Sequence, residues 1–587
     1  MTMTIGRDRI AALLAIALLS ACGTGAAGDA SGDGGGGDGS DDGGGGVGLG
    51  GAQDIGAFRA ILEAGEIPGE DTLDANGFFS EHYSELPDAD CGDPLCLVGM
   101  IAVGRDWVMP EDHAILQVSL STPIDPSGLE RKPLNLVVVI DTSGSMSVDD
   151  RIGFAREGLH ALIDELREGD RLALVTYSDS VTVRATLAEP ADKATLHAIA
   201  DELVATGATN LHDGLEAGFQ LGLESYDVER QNRILLVSDG LANVGISDDA
   251  SIQAMADSFL SDGIGLTTVG VGLDFNVALM RGLAERGAGN FYFLEDAAAI
   301  AEVFREELDY FVTPLAFDVQ LEVAAETSWE LGEVVGTHYW NGSSRSGGVA
   351  LPAVFVASRE SDEPGEFGRR GAGGAIFVSM LPGAFSVWEP SEALATLRLS
   401  YRLPGEEERR EASILVDSRP DIGSSEDDVY LGNEAMAEHY SMYAMFHGLR
   451  DATRFAGAGA YDCALSALER LDARAASWQS EFADEDIEAD RAIVAQFQGN
   501  LREAGARPVD GSFESACSEY TGGYDDEEWN DDGSYEDDVR EERDLPYCQA
   551  GGSARAGAAS WTLIGLAMLA VRRRRRGAGA GAARGAR

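Results

Sequence analysis

Three short stretches of this chain place hard oxygen where a strand should end. The first is Val139-Ile140-Asp141-Thr142-Ser143-Gly144-Ser145-Met146, in which a carboxylate and two hydroxyls alternate directly after an apolar run. The second is Gly207-Ala208-Thr209-Asn210-Leu211, ahead of a helical pattern. The third is Val237-Ser238-Asp239-Gly240, which closes another apolar run. Carboxylate and hydroxyl oxygens suit Mg2+, Mn2+ or Ca2+ and not copper or zinc. Asp141, Ser143, Ser145, Thr209 and Asp239 are therefore the candidate metal ligands, with Mg2+ (or Mn2+/Ca2+) as the ion. Alone, the Asp-x-Ser-x-Ser spacing is a weak signal, because Asp and Ser are common at strand ends and helix caps. The two other loops give it weight.

The elements that must position these residues follow from hydrophobic period. From Pro133 onward, residues 134–140 are nearly all apolar, as a strand buried on both faces should be. Residues 150–166 carry a helical stripe of Ile152, Phe154, Leu159, Leu162, Ile163 and Leu166. Further strands are expected at 172–177, 234–237, 264–271 and 291–294, and further helices at 209–223, 251–260, 277–284 and 297–311. This alternation predicts an α/β class, doubly wound and Rossmann-like: a parallel sheet with helices on both faces. Ligands bind at the carboxyl ends of strands in such a sheet. All five candidates belong to that one rim.

With those residues in view, 133–312 resembles a von Willebrand factor A (VWA) domain, whose metal ion-dependent adhesion site (MIDAS) matches position by position. The resemblance implies hydroxyl contacts from Ser143, Ser145 and Thr209, with Asp141 and Asp239 acting directly or through water. Two carboxylates offset a divalent ion and three hydroxyls add no charge, so the ion keeps room for a further oxygen. An acidic residue of a protein partner would supply it. The implied function is divalent metal-dependent protein–protein binding or adhesion. Asn243 to Asp248, and Gly287 to Tyr292, further resemble the bacterial YfbK-like VWA lipoproteins.

An enzyme is not expected. A haloacid dehalogenase-like phosphatase needs a second carboxylate two residues after the first, and Ser143 stands there. Walker A, His-Glu-x-x-His and Gly-x-Ser-x-Gly patterns are absent. His160, His197 and His212 lie on or next to helices and read as surface or capping residues. The alternatives are a metal-independent structural or assembly factor of the envelope and a metal-dependent hydrolase.

The flanks define the remaining organisation. Residues 1–22 read as a lipoprotein signal peptide: Arg7 and Arg9, an apolar run too short to span, and Leu19-Ser20-Ala21-Cys22, resembling a lipobox with Cys22 as the lipidated residue. Residues 23–53 are a Gly/Asp-rich stretch expected to be a disordered linker. Residues 54–132 form an N-terminal YfbK-like segment with a short helical pattern and strands at 97–108 and 113–121. Period-two runs at 316–323, 349–356, 375–380, 395–401 and 412–416 predict an antiparallel β-sandwich over 313–420, joined by the earlier strands, so that the α/β unit is an insertion. Residues 430–507 form a C-terminal helical region, with amphipathic helices at 433–451 and 461–506. An acidic linker at 520–547 leads to 548–587, where Cys548, an apolar segment and Arg572, Arg573, Arg574, Arg575 and Arg576 resemble a myxobacterial-type sorting tail or a membrane segment.

Bulk composition sets the cellular frame. The 587 residues hold 43 Lys and Arg against 101 Asp and Glu, a formal charge of -58. That balance argues strongly against nucleic acid, whose phosphates need basic side chains. Export is expected, to the cell envelope as an outer-membrane or surface lipoprotein, held at the membrane by the lipid or the tail. Outside the cytosol cysteines pair. Cys91 with Cys96, and Cys463 with Cys517, are the disulfide candidates.

Overall fold

The computed structural model describes residues 45–48, 51–52 and 55–521, apart from short loop stretches and the segments 295–313, 358–373 and 383–392. Every described residue belongs to one compact unit, Met1–Asp525. Cys22, most of the 23–53 stretch, the helix expected at 297–311, the acidic linker and the tail with Cys548 and Arg572 to Arg576 lie outside the described residues. No helix among the described residues is long and apolar enough to cross a membrane.

The α/β unit is built on a 7-stranded sheet in the order Gly51–Ala52, Asn290–Leu294, Gly265–Val271, Gln231–Ser238, Leu134–Asp141, Arg171–Tyr177 and Val181–Ala185. Neighbours run parallel, except that Val181–Ala185 folds back on Arg171–Tyr177 as a hairpin. All eight residues of Leu134–Asp141 are buried. Their side chains alternate as strand geometry requires. Leu136, Val138 and Ile140 pack with Leu159 and Leu162 of the helix Arg151–Glu165 and Leu196 of Lys193–Asp201. Val137 and Val139 pack on the other face with Leu215, Phe219, Ile252, Leu279 and Leu283. The chain leaves Leu134–Asp141 toward one neighbour and returns later on its other side. Asp141 thus ends a strand at a topological switch point.

The helix Leu211–Glu224, which follows Thr209, lies unusually close to the sheet. Gly214, Gly218 and Gly222 form its inner stripe. A Cβ at Gly218 would stand 2.4 Å from Val139 Cγ2, and one at Gly214 would stand 2.5 Å from Tyr177 Cγ. The strand Val181–Ala185 and the helix Lys193–Asp201 carry too little apolar periodicity to be expected from sequence. Both show mixed burial, as edge elements do.

The antiparallel part is a sandwich whose hydrogen bonds form one branched 12-stranded sheet. One layer holds Cys96–Arg105, Asp112–Thr122, Ile376–Pro382 and Trp329–Val335. The other holds Ser346–Ala357, Pro314–Ala325, Ala393–Arg402 and Arg409–Asp417. Leu97, Ile101, Val118, Val378, Leu321, Leu397 and Tyr401 share the core between them. Strands on both sides of the α/β unit in sequence therefore meet in one sandwich.

Three expectations are corrected. Residues near the end of the 23–53 linker are strands. Gly45–Gly48 bridges Ser346–Ala357 and Asp112–Thr122, and Gly51–Ala52 adds to the edge of the α/β sheet. Backbone pairing needs few side chains, and buried Val47 and Ala52 suffice to anchor it. The helix expected at 433–451 is Met436–Gly457, and from Met436 to Ala456 all but Glu438 and Arg454 are buried. It is a central core helix, not an amphipathic one. Residues 461–506 form two helices, Tyr461–Trp478 and Glu485–Glu503, the second capped by Asp484.

Around that core helix pack the helices Gly56–Glu63, Ala75–Ser80 and those of the C-terminal region, with Phe58, Phe79, Trp478 and Phe497 in one cluster. Cys463–Cys517 ties Tyr461–Trp478 to Phe513–Thr521, and Cys91–Cys96 closes the loop before Cys96–Arg105.

Candidate functional site

Asp141 is fully buried at the end of its strand. Its Oδ1 accepts the Ser143 N–H at 2.7 Å, which turns the chain sharply after the strand. Its Oδ2 accepts the Ser238 hydroxyl at 2.9 Å. Ser238 in turn accepts the Tyr177 hydroxyl at 2.7 Å. The turn brings the Ser143 and Ser145 hydroxyl oxygens to 2.9 Å from each other.

Thr209 reaches this loop through backbone pairing. Gly144 N–H donates to Gly207 O at 2.9 Å, Thr206 N–H donates to Thr142 O at 2.7 Å, and Thr142 N–H donates to Tyr177 O at 2.8 Å. The two loops are thus zipped together across the strand ends. A Cβ at Gly144 would stand 3.1 Å from Gly207 O, a tight fit, and Gly207 itself has φ of +84°, a conformation that favours glycine. Thr209 is buried, and Asn243 accepts its N–H at 2.9 Å. Asn210 then caps the following helix by accepting the Asp213 N–H.

Asp239 follows Ser238 at the end of the adjacent strand, where Ile140 pairs with Val237. It is fully buried. The Arg151 guanidinium, also buried, lies 3.4 Å from Asp239 Oδ2. Burial, and next the charge of Asp239, push the Asp141 carboxyl up to about 6. The structure therefore gathers all five sequence candidates at one rim, from three separate loops.

Four further participants are not singled out as ligands in the sequence: Tyr177, Ser238, Arg151 and Asn243. Ser238 directly precedes Asp239, and Asn243 opens the 243–248 stretch that follows it. Arg151 looks like an ordinary helix-start residue. Only the fold lays it against Asp239. Its guanidinium also passes over Gly272, where a Cβ would stand 2.1 Å from Arg151 Nε.

The donor set fits a hard divalent cation. Two carboxylates and three hydroxyls stand on loops that meet at this rim, and a cation would offset the charge of Asp239, the second cause after burial that raises Asp141.

The remaining predicted residues fall as follows. The two disulfide pairs form between the expected cysteines. His212 lies beside the site, 3.1 Å from Asp213. His160 and His197 meet on the outer surface of the α/β unit.

Residues 135–306 match the model of the von Willebrand factor type A domain. A stretch of 220 residues is 34% identical to the uncharacterized protein YfbK of Escherichia coli K12, covering 37% of this chain and 38% of that protein. A stretch of 229 residues is 31% identical to inter-alpha-trypsin inhibitor heavy chain H3 of Rattus norvegicus, covering 37% of this chain and 25% of the heavy chain. The matched region thus spans well under half the length of either relative. Among solved structures, a von Willebrand factor type A protein from Catenulispora acidiphila is similar at a TM-score of 0.45 and 16% identity, over 71% of this chain and 97% of that chain. The rim formed by Asp141, Ser143, Ser145, Thr209 and Asp239 thus belongs to a doubly wound unit that is a von Willebrand factor type A domain.

Proposed function

We propose that this rim holds a divalent cation, Mg2+ or else Mn2+ or Ca2+, and that the protein binds other proteins through it at the cell envelope. Asp141, Ser143, Ser145, Thr209 and Asp239 would hold the ion, which supplies an electrophilic point at the rim. The single observation that carries this reading is the burial of two like-charged carboxylates beside three hydroxyls at a strand-end crevice. Mediation of protein–protein interaction is the general role of this domain family and supports the same reading. A partner carboxylate would complete the coordination shell. With a formal charge of -58, an acidic partner is repelled at long range, so the contact depends on local complementarity. Anchoring by lipid on Cys22 or by the C-terminal tail belongs to the same proposal.

The test is capture of envelope proteins by the purified chain in Mg2+ and in chelator, with Asp141→Ala as control. Capture lost on chelation and in the variant supports the reading. Capture unchanged in both refutes it and points to the metal-independent assembly role. That second role is favoured by one observation: Arg151 already offsets part of the rim's negative charge. Phosphatase and protease assays on the same sample address the hydrolase alternative.

A further inference from the structure

On the outer surface of the α/β unit, two histidines from neighbouring helices meet edge to edge. His160 belongs to Arg151–Glu165 and His197 to Lys193–Asp201. Their Nδ1 atoms stand 2.7 Å apart. The rings are nearly parallel, at 17°, with centroids 4.9 Å apart. Each ring's far nitrogen meets a carboxylate from the other helix: His160 Nε2 lies 3.1 Å from Asp201 Oδ1, and His197 Nε2 lies 3.1 Å from Asp164 Oδ1. Both histidines sit four residues before an aspartate on their own helix, so the arrangement is reciprocal.

Tautomer logic makes this pairing informative. An ionised carboxylate only accepts hydrogen bonds, so each Nε2 must carry the hydrogen that it donates. In the neutral ring the other nitrogen, Nδ1, then holds a bare lone pair. Two lone pairs facing each other at 2.7 Å repel unless a proton or a metal ion is shared between the rings. A ligating histidine held by a carboxylate at its far nitrogen is the ordinary arrangement around a bound metal.

We propose that His160 and His197 chelate one borderline transition-metal ion, Zn2+, Cu2+, Ni2+ or Co2+, through their two Nδ1 atoms. Imidazole nitrogen suits these ions and not Mg2+ or Ca2+. Metal–nitrogen bonds of about 2.0–2.1 Å put two such nitrogens about 3 Å apart on a common ion, so binding requires both rings to swing until their lone pairs, which now face each other, converge on the ion. Ring side chains 31% and 30% exposed leave the ion reachable and let water fill its other positions. Asp164 and Asp201 fix the tautomers and supply negative charge, against which Lys193 Nζ, bonded to Asp164 O at 2.8 Å, sets one positive charge. The site differs from the rim in place, donor type and ion. It would staple the helix that starts beyond the Ser145 loop to the helix that leads toward Thr209.

The experiment uses the full chain without an affinity tag, carrying Asp141→Ala so that the rim does not contribute. Cu2+ and Zn2+ are titrated calorimetrically, and the Cu2+ form is examined by electron paramagnetic resonance. The expected result is one equivalent bound, nitrogen superhyperfine splitting from two imidazoles, and no competition by excess Mg2+. His160→Gln and His197→Gln each remove the binding while circular dichroism and unfolding without ion stay unchanged. Asp164→Asn with Asp201→Asn weakens binding by about 10–100-fold. Absence of saturable binding, as a proton shared between the rings would give, overturns the proposal. Binding that survives both histidine variants and is lost in His212→Gln also overturns it, because the ion would then sit at the exposed His212, Asp213 and Glu216 cluster. None of these outcomes depends on the fate of the rim.

Discussion

Asp141 and Asp239 share a buried rim, and their mutual repulsion has measurable consequences. Burial and the neighbouring charge raise Asp141 from the ordinary 3.8 to about 6, so its ionised form is penalised at neutral pH. Asp141→Asn is expected to stabilise the metal-free protein by about 1–3 kcal/mol at pH 7.5. The same variant should abolish the rise in melting temperature that Mg2+ gives the parent, which at a hundredfold excess over Kd corresponds to about 2.7 kcal/mol. Denaturant melts of both forms, with and without Mg2+, check the pair of effects. Arg151 acts in the opposite sense. Its charge at 3.4 Å from Asp239 competes with any cation there. Arg151→Gln should therefore tighten Mn2+ binding several-fold by calorimetry. Weaker binding would assign Arg151 to holding the loop instead of balancing its charge.

At the scale of elements, the glycine stripe of Leu211–Glu224 sets how far Thr209 lies from Asp141. A bulky side chain at Gly218 must displace Val139 in the central strand, and overpacking of this kind costs about 1–3 kcal/mol. Gly218→Leu is expected to lower stability by that amount and to weaken cation binding as well, since the helix carries Thr209 outward. Gly457, where an added Cβ meets nothing, is the control. The core helix Met436–Gly457 raises a different question, because it buries charge. His447 faces Asp106 at 3.3 Å and Glu333 at 3.5 Å, and Arg450 holds Glu333 at 2.7 Å. Burial alone would lower His447, but those carboxylates raise it to about 9. Removing one partner of such a group leaves the others uncompensated. Glu333→Gln should destabilise by about 3–5 kcal/mol in denaturant melts.

At the scale of the whole molecule, several shifts share one sign. Asp490 and Asp486 lift His82 from 6.5 to about 9 against the pull of burial. His447 behaves alike. A raised histidine contributes stability that is full below 6.5 and is lost as pH rises through about 9. Glu285, on the helix Val277–Arg286, is raised from 4.5 to about 7 by burial, with Asp74 opposing and His338 and Arg281 favouring its ionised form. Its contribution is likewise lost as pH climbs from 4.5 through about 7. These groups sit where the α/β unit and the sandwich meet the N-terminal segment and where the C-terminal helices close on it. The melting temperature should therefore fall steadily between pH 6 and pH 9, and added Mg2+ should raise it without removing that slope. A flat or rising profile over this range would contradict the assignment.

How much of this was legible beforehand depends on the range of the interaction involved. Runs such as 134–140 and the stripe of Ile152, Leu159 and Leu162 mark strand and helix because burial on a periodic backbone writes itself into neighbouring positions. The five oxygen-bearing residues were legible for the same reason: each lies beside a strand end or helix start that local pattern reveals. The glycine-rich strand Gly45–Gly48 was not, because both its partner strands, Asp112–Thr122 and Ser346–Ala357, are distant in sequence and backbone pairing leaves little trace in composition. The near-complete burial of Met436–Gly457 was equally hidden, since the charged His447 and Arg450 on it are paired with Asp106 and Glu333 from other elements. Sequence by itself determined which side chains could ligate a cation and on which class of sheet they stand. Only the tertiary structure decided that Arg151 answers Asp239 and that His160 meets His197, because side chains distant in sequence acquire a common environment only when packing brings their elements together.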